Sequence, residues 1–513
     1  MAAPDLIGDD PLTLCRIRGL QDDRGNLMLS AEAQSRIAAS RAVVERLAAG
    51  NRSYYGINTG FGILAHQRIS PEDVDKLQEN LILSHAVGVG REVDPAIVQL
   101  MLLLKINALA LGLSGVRPVL VEYLLSFYNA NISPVVFAKG SLGASGDLAP
   151  LAHLTLPLLG LGEVWMPDGS KQPATAALDH LGLVPLRLKA KEGLALINGT
   201  QFMAAHAVHT LLRMQGLLKV ADITAAMTLE AMRGSATPFD ERIHAARPHA
   251  GQIESAGNVR QLLVASEILP SHLNCGKVQD PYSIRCVPQV HGAVRDTVRA
   301  ALATVETELN SVTDNPLVFP NGDVVSGGNF HGEPLAFAMD FLAIAAAEIA
   351  SISERRIYLL LGGDTMGEVK LPKLLMSDTG LNSGFMLPQY TAAALVSENK
   401  ILAHPASVDS IPSSLGQEDH VSMGSISATK LLEVVENVET VLAIEVMCAA
   451  QALDFIHPLK AGRGVEAAHA EVRRHLAFAE ADRLFHQDIQ TALALVKSGS
   501  LVTAAEEASG KLQ

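Results

Sequence analysis

Within its first third the chain reads Gly140-Ser141-Leu142-Gly143-Ala144-Ser145-Gly146-Asp147-Leu148-Ala149-Pro150. The centre of this run, Ala144-Ser145-Gly146, can be turned into an electrophile made from the chain itself. Attack of the Gly146 amide nitrogen on the Ala144 carbonyl carbon closes a five-membered ring. Loss of two waters, one carrying the Ser145 hydroxyl, then leaves an imidazolone with an exocyclic methylidene. Glycine lets the attacking nitrogen approach closely because it has no Cβ. Serine supplies the hydroxyl that leaves, and alanine is too small to crowd the ring. Gly140 and Gly143 permit a tight backbone path, and Pro150 limits how the segment continues. The tripeptide alone decides nothing: Ala508-Ser509-Gly510 repeats it among Glu506, Glu507 and Lys511, in what reads as a polar, frayed tail. The weight of the first copy comes from its surroundings.

Other segments are spread along the chain in a fixed order. They are Tyr55-Gly56-Ile57-Asn58-Thr59-Gly60-Phe61-Gly62, Ser84-His85-Ala86-Val87-Gly88, Asn198-Gly199-Thr200-Gln201 and Gln279-Asp280-Pro281-Tyr282-Ser283-Ile284-Arg285-Cys286. Gly327-Gly328-Asn329-Phe330-His331 and Gln417-Glu418-Asp419-His420-Val421-Ser422-Met423-Gly424 follow. With the Gly140–Pro150 stretch they make the chain resemble the aromatic amino-acid ammonia-lyase family, from about Leu12 to about Leu476. The resemblance implies a mainly α fold of the fumarase/aspartase-like superfamily. It also implies a 4-methylidene-imidazol-5-one group formed autocatalytically from Ala144, Ser145 and Gly146, with no external cofactor. The partner it implies is an amino-acid substrate, in a homotetramer whose sites combine residues of more than one subunit.

Composition agrees. The 513 residues are long enough for a large core, and the hydrophobic fraction is 48% with only 4% aromatics. Alanine and leucine must therefore fill much of the interior, which favours close-packed helices over sheets. A net charge of −14 argues against nucleic acid as a partner, since phosphate contacts need clustered Lys and Arg. Cys15, Cys275, Cys286 and Cys448 form no CxxC pattern, and the chain has no signal-like start. They read as reduced thiols of a cytoplasmic protein. The most apolar runs, Ile97–Leu113 and Leu335–Ala350, are interrupted by Lys105 and by Asp340 and Glu348. No membrane span is expected, and both runs read as buried core helices. His206 and His209 lie three apart with neither HExxH nor a carboxylate cluster, so no metal site is expected there.

The first 110 or so residues are mixed. Ser30 is placed to cap a helix starting near Ala31, with Ile37, Val44 and Leu47 on one face. Glycines at Gly56–Gly62 and Gly88–Gly90 read as loops. Beyond this the pattern predicts long helices over Met203–Met232, Gly292–Val312, Leu335–Leu361 and Thr429–Phe455, an extended bundle. Pro270–Gln279 and Gly362–Gly384 read as connectors. The expected organisation is thus a smaller mixed N-terminal region, 1–110, carrying Tyr55 and His85. A long-helix bundle, 111–513, carries the Ala144 loop and the other site residues.

Chemistry explains why those residues matter. Eliminating ammonia requires removal of a weakly acidic proton while a poor leaving group departs, and an electrophile on the amine improves the leaving group. By resemblance Tyr282 is the base, which demands a lowered pKa helped by Arg285; Tyr55 is the alternative base or the proton carrier for the departing amine. Arg285 is the carboxylate clamp, because guanidinium binds carboxylate through two parallel hydrogen bonds. Asn198 and Gln279 are the amides holding the ring and the charged end of the substrate, and Phe330 forms one wall. Ser84-His85 stands where the family's tyrosine enzymes tend to have His-Leu and its phenylalanine enzymes Phe-Leu. His85 can hydrogen-bond an imidazole, and Glu418 can accept its N–H, whereas a carboxylate facing a plain phenyl ring is a desolvated, unpaired charge. The ordinary alternatives are a satisfied core histidine and a helix-start carboxylate. Together the pair favours L-histidine, giving trans-urocanate. Tyrosine or phenylalanine elimination and tyrosine 2,3-amino migration remain the alternatives. Val287, His291 and Gly332 depart from the family's usual Gln, Met and Ala.

Overall fold

The structure is a computed structural model that describes residues 4–23, 25–272, 278–362 and 371–513. Cys275 and part of each expected connector lie outside these residues. The fold is mainly α. Among the described residues the strands are short and form small sheets: Asp5–Ile7 parallel to Leu27–Leu29, Val89–Glu92 antiparallel to Phe137–Lys139, and two more. Val89–Glu92 corrects the loop expected at Gly88–Gly90. Its partner strand lies some fifty residues on, with Val89 opposite Lys139, so no local pattern announces the pairing.

The predicted long helices are present as Gln201–Ala231, Val287–Leu309, Glu333–Leu361 and Gly424–Asp454, of 31, 23, 29 and 31 residues. These far exceed a usual helix of about 11–12 residues. Each begins two to five residues before the predicted start. Between residues 111 and 200 the elements stay short, the longest being Pro118–Asn129. Ser30 caps Ala31–Ala48 as predicted, its side chain accepting from Ala33 N. The C-terminal Ala508-Ser509-Gly510 is no frayed tail: Ser500–Ser509 is helical, Leu501, Ala505 and Leu512 are buried, and Ser509 Oγ donates to Ala505 O.

The chain divides into two units. The first comprises Met1–His209, Leu302–Asp340 and Pro405–Thr429; the second comprises Thr210–Ala301, Phe341–His404 and Lys430–Gln513. This differs from the division read at residue 110, because each unit is assembled from stretches far apart in sequence. In the first unit Pro95–Ala110 is buried nearly all round, capped by Asp94 with Pro95 in its first turn. Val43, Val44, Ile57, Val74, Ala190 and Val318 form a further apolar cluster. In the second unit Asp222 is fully buried. It accepts from Ser255 Oγ (2.7 Å), Asn258 Nδ2 (2.9 Å) and Arg295 Nη2 (2.6 Å), and lies 2.8 Å from His291 Nδ1. Burial opposes ionisation of Asp222, but Arg295 and His291 outweigh it and hold the carboxyl well below its usual range. The histidine at position 291 thus serves as one of the polar partners of this buried carboxylate.

Glu333–Leu361 is long and apolar enough by length and composition to cross a membrane, despite Asp340 and Glu348 within it. Its most apolar window is 67% buried, as in a core helix. Asp340, which interrupts it, is buried and accepts from Ser407 N at 2.8 Å.

Candidate active site

The Ala144 loop sits in the first unit, just before the Leu148–Thr155 helix. Gly146 has φ +76°, and a Cβ there would lie 2.2 Å from Gly199 O. Only glycine fits both the left-handed backbone and that contact. Gly146 and Gly199 pair in a parallel bridge, and Asp147 N donates to Gly199 O at 2.7 Å. From the other side, Met423 N donates to Leu142 O at 3.1 Å and Ser425 Oγ donates to Asp147 Oδ1 at 2.8 Å. Two remote segments thus hold the loop.

Ser145 Oγ donates to Glu418 Oε1 at 3.1 Å, and Ser413 Oγ donates to Glu418 Oε2 at 2.8 Å. Glu418 lies in a loop, bridged to Ser413 and ahead of the Gly424–Asp454 helix, so it is not a helix-start carboxylate. Its charge acts on both Tyr55 and His85. Tyr55 is raised above its ordinary value by burial first, with Glu418 and Asp314 adding; its hydroxyl accepts from Gly62 N at 3.4 Å. It is therefore a phenol at neutral pH. His85 ends the Val74–His85 helix, its Nδ1 3.0 Å from Ser84 Oγ. Burial lowers His85, against smaller opposite effects of Leu81 O and Glu418, so its imidazole is neutral at pH 7.

Asn198 terminates the Glu192–Ile197 helix. Its Nδ2 donates to Asn315 O at 3.1 Å, while its Oδ1 is buried with no partner. A buried acceptor left open is costly unless a ligand donor meets it. Phe330 is half-buried in the turn before Glu333–Leu361. At Gly332 a Cβ would meet the flexible end of Met203, Cε at 2.5 Å, so the departure from alanine has no structural explanation.

Gln279, Tyr282 and Arg285 belong to the second unit. Tyr282 opens the short Tyr282–Arg285 helix and is 70% exposed. The Arg285 guanidinium lies over its ring, 4.5 Å from the centroid, and Arg285 Nε is buried without a partner. Gln279 is exposed. The predicted residues therefore fall into two groups: Tyr55, His85, the Ala144 loop, Asn198, Phe330 and Glu418 in one unit, the remaining three in the other.

Sequence reasoning missed three supports. Asp147 is fully buried and accepts from Met203 N at 3.0 Å as well as from Ser425. Burial pushes its carboxyl up to about 7 despite these bonds. Ser413 steadies Glu418, and Lys105 donates to Asn198 O at 2.8 Å. Asp147 lay inside the quoted motif, and Lys105 stood out as the charge breaking an apolar run; Ser413 carried no signal.

Comparison with known proteins gives the same picture. The aromatic amino acid lyase family matches residues 12–474. A histidine ammonia-lyase of Sorangium cellulosum is 50% identical over 98% of this chain and 99% of its own length. The crystal structure of histidine ammonia-lyase from Trypanosoma cruzi superposes with a TM-score of 0.90 at 41% identity, covering 98% of this chain and 95% of that one. A tyrosine aminomutase from Streptomyces globisporus gives 0.92 at 36% identity with full coverage of both chains. With the loop, its clamps and this match along nearly its whole length, the chain belongs to the aromatic amino acid lyase family.

Proposed function

We propose that this carbon–nitrogen lyase eliminates ammonia from L-histidine to give trans-urocanate, using a 4-methylidene-imidazol-5-one group that it makes from Ala144, Ser145 and Gly146. The residues present fit such a group: glycine at Gly146 removes the Cβ that would meet Gly199 O, and Asp147 N donates to that same carbonyl, which holds the segment in place. When formed, the group supplies an electrophilic carbon that makes the substrate amine a better leaving group. Everything else falls to side chains.

The carrying observation is the Ser145–Glu418 hydrogen bond, with His85 and Tyr55 in the field of the same carboxylate. Glu418 accepts one imidazole N–H of the substrate, and neutral His85 meets the ring through its own donor or acceptor nitrogen. Tyr55, held as a phenol by burial, can pass a proton toward the departing amine. Tyr282 removes the β-proton, with the Arg285 guanidinium lying over its ring. Arg285 also clamps the substrate carboxylate, Asn198 and Gln279 bind through their amides, and Phe330 walls the site.

A homotetramer with sites shared between subunits is the assembly we favour. In the second unit the exposure of Tyr282, with Tyr358, Leu387, Tyr390 and Ile401, supports burial against further copies. A cytoplasmic location fits Cys15, Cys286 and Cys448 as free thiols. The full-length likeness to the tyrosine aminomutase keeps amino-group migration as a second reading. Incubating the protein, without added cofactor, with L-histidine, L-tyrosine and L-phenylalanine tests both. Urocanate from histidine alone is expected. Turnover of tyrosine instead, or a β-amino acid product, overturns the assignment of substrate.

A further inference from the structure

Lys105 is the one charged side chain on the buried Pro95–Ala110 helix, and it is 2% exposed. Its Nζ donates to Ala195 O at 3.2 Å and to Asn198 O at 2.8 Å. These carbonyls lie at the C-terminal end of the Glu192–Ile197 helix, where acceptors lack partners within the helix and a cation is favourable. Packing alone does not account for an ammonium here. Its neighbours on the helix are Leu104 and Ile106, and an apolar side chain would avoid the cost of burying a charge. That cost is visible: burial drags Lys105 down to about 7, with Asp314 and Asp147 opposing the drop.

We propose that Lys105 is a positioning residue for formation of the prosthetic group. It holds the Asn198–Gly199 turn so that Gly199 fixes the Gly146–Asp147 peptide and aims the Gly146 nitrogen at the Ala144 carbonyl. This rests on the reading of Ala144-Ser145-Gly146 as self-cyclising. The connection is short: Lys105 Nζ to Asn198 O, then one residue to Gly199, whose carbonyl accepts from Asp147 N at 2.7 Å. Gly199 has φ +130°, a conformation essentially confined to glycine, so the turn needs an external hold. In the closure, the bond from Gly146 N to Ala144 C forms. The Ala144 carbonyl oxygen leaves as water with the amide protons of Gly146 and Ser145. The Ser145 hydroxyl leaves as a second water with the Ser145 α-proton. No electrons are gained or lost, so no oxidant or reductant is needed.

The test compares full-length wild type with Lys105→Met, Lys105→Gln and Lys105→Arg. Intact mass is followed with time after expression, alongside helical circular dichroism, kcat and KM. Displacement of reacting groups by an ångström costs about a hundredfold in rate, and Lys105→Met and Lys105→Gln should cyclise slower by that order. Both should keep wild-type helical signal, with kcat per chain falling in proportion to the cyclised fraction and KM unchanged. Lys105→Arg, which keeps a cation for the two carbonyls, should recover most of the cyclisation. Folded Lys105→Met that loses two waters as fast as wild type overturns the proposal. Failure of both neutral variants to fold also overturns it, since Lys105 would then serve stability alone. Wild type at its encoded mass would instead refute the self-cyclisation reading, and this proposal with it.

Discussion

Glu418→Gln is the substitution that separates histidine chemistry from the rest of the family's repertoire. The amide keeps the size of the side chain and an acceptor for Ser413 Oγ, now 2.8 Å from Oε2. It can also still face Ser145 Oγ, now 3.1 Å from Oε1. What it loses is the charge that meets the imidazole N–H. A hydrogen bond to a charged group contributes about 1.5–3 kcal/mol, and each 1.4 kcal/mol is about tenfold. The kcat/KM for histidine should therefore fall roughly tenfold to 150-fold, while an amide that tolerates a phenyl ring leaves phenylalanine turnover unchanged or improved. Two titrations should move with it. Glu418 raises both Tyr55 and His85, so each should titrate lower in the variant. The assay is urocanate absorbance across pH, with intact mass checked so that the prosthetic group is known to be present. A fully cyclised variant whose histidine kcat/KM stays within about twofold of wild type would refute the role given to Glu418.

Gly146→Ala should leave the chain at its encoded mass and without turnover, and destabilise it by about 1–3 kcal/mol through its left-handed φ and the contact with Gly199 O; an alanine variant that still loses two waters would contradict this. Tyr282→Phe should lower kcat by about 10²–10⁴-fold at unchanged mass, and near-normal turnover would move the base to Tyr55. Asp147 gives a pH prediction. Its carboxyl is raised from 3.8 to about 7, so between these values the folded chain binds more protons than the unfolded one, and stability falls as pH rises from about 4 to about 7. Asp147→Asn should flatten that slope in Tm, and an unchanged slope would exclude Asp147 as its source.

Legibility in the sequence followed range. Local signals were clear: Ser30 capped its helix, and the long apolar-faced helices appeared within a few residues of where their periodicity ends. Lys105 was visible as a charge inside an apolar run, though its carbonyl partners were not. Contacts between distant segments were silent. Ser145 and Glu418 are 273 residues apart, and only the family pattern suggested that both belong to one site. Asp147 was visible inside the motif, but its role as a buried anchor for the start of the Gln201–Ala231 helix was not. The strand at Val89–Glu92 needed its partner Phe137–Lys139 to exist, and a glycine pair at Gly88 and Gly90 gave the opposite local cue.

Mass spectrometry of the intact chain, followed by mapping of the peptide containing Ala144, Ser145 and Gly146, tests the central claim most directly. Freshly purified protein made without added cofactor should weigh two waters less than its encoded sequence. The deficit should map to that tripeptide, leave Ala508-Ser509-Gly510 untouched and vanish in Ser145→Ala together with ammonia release. A chain at its full encoded mass that still converts histidine to urocanate would contradict the account.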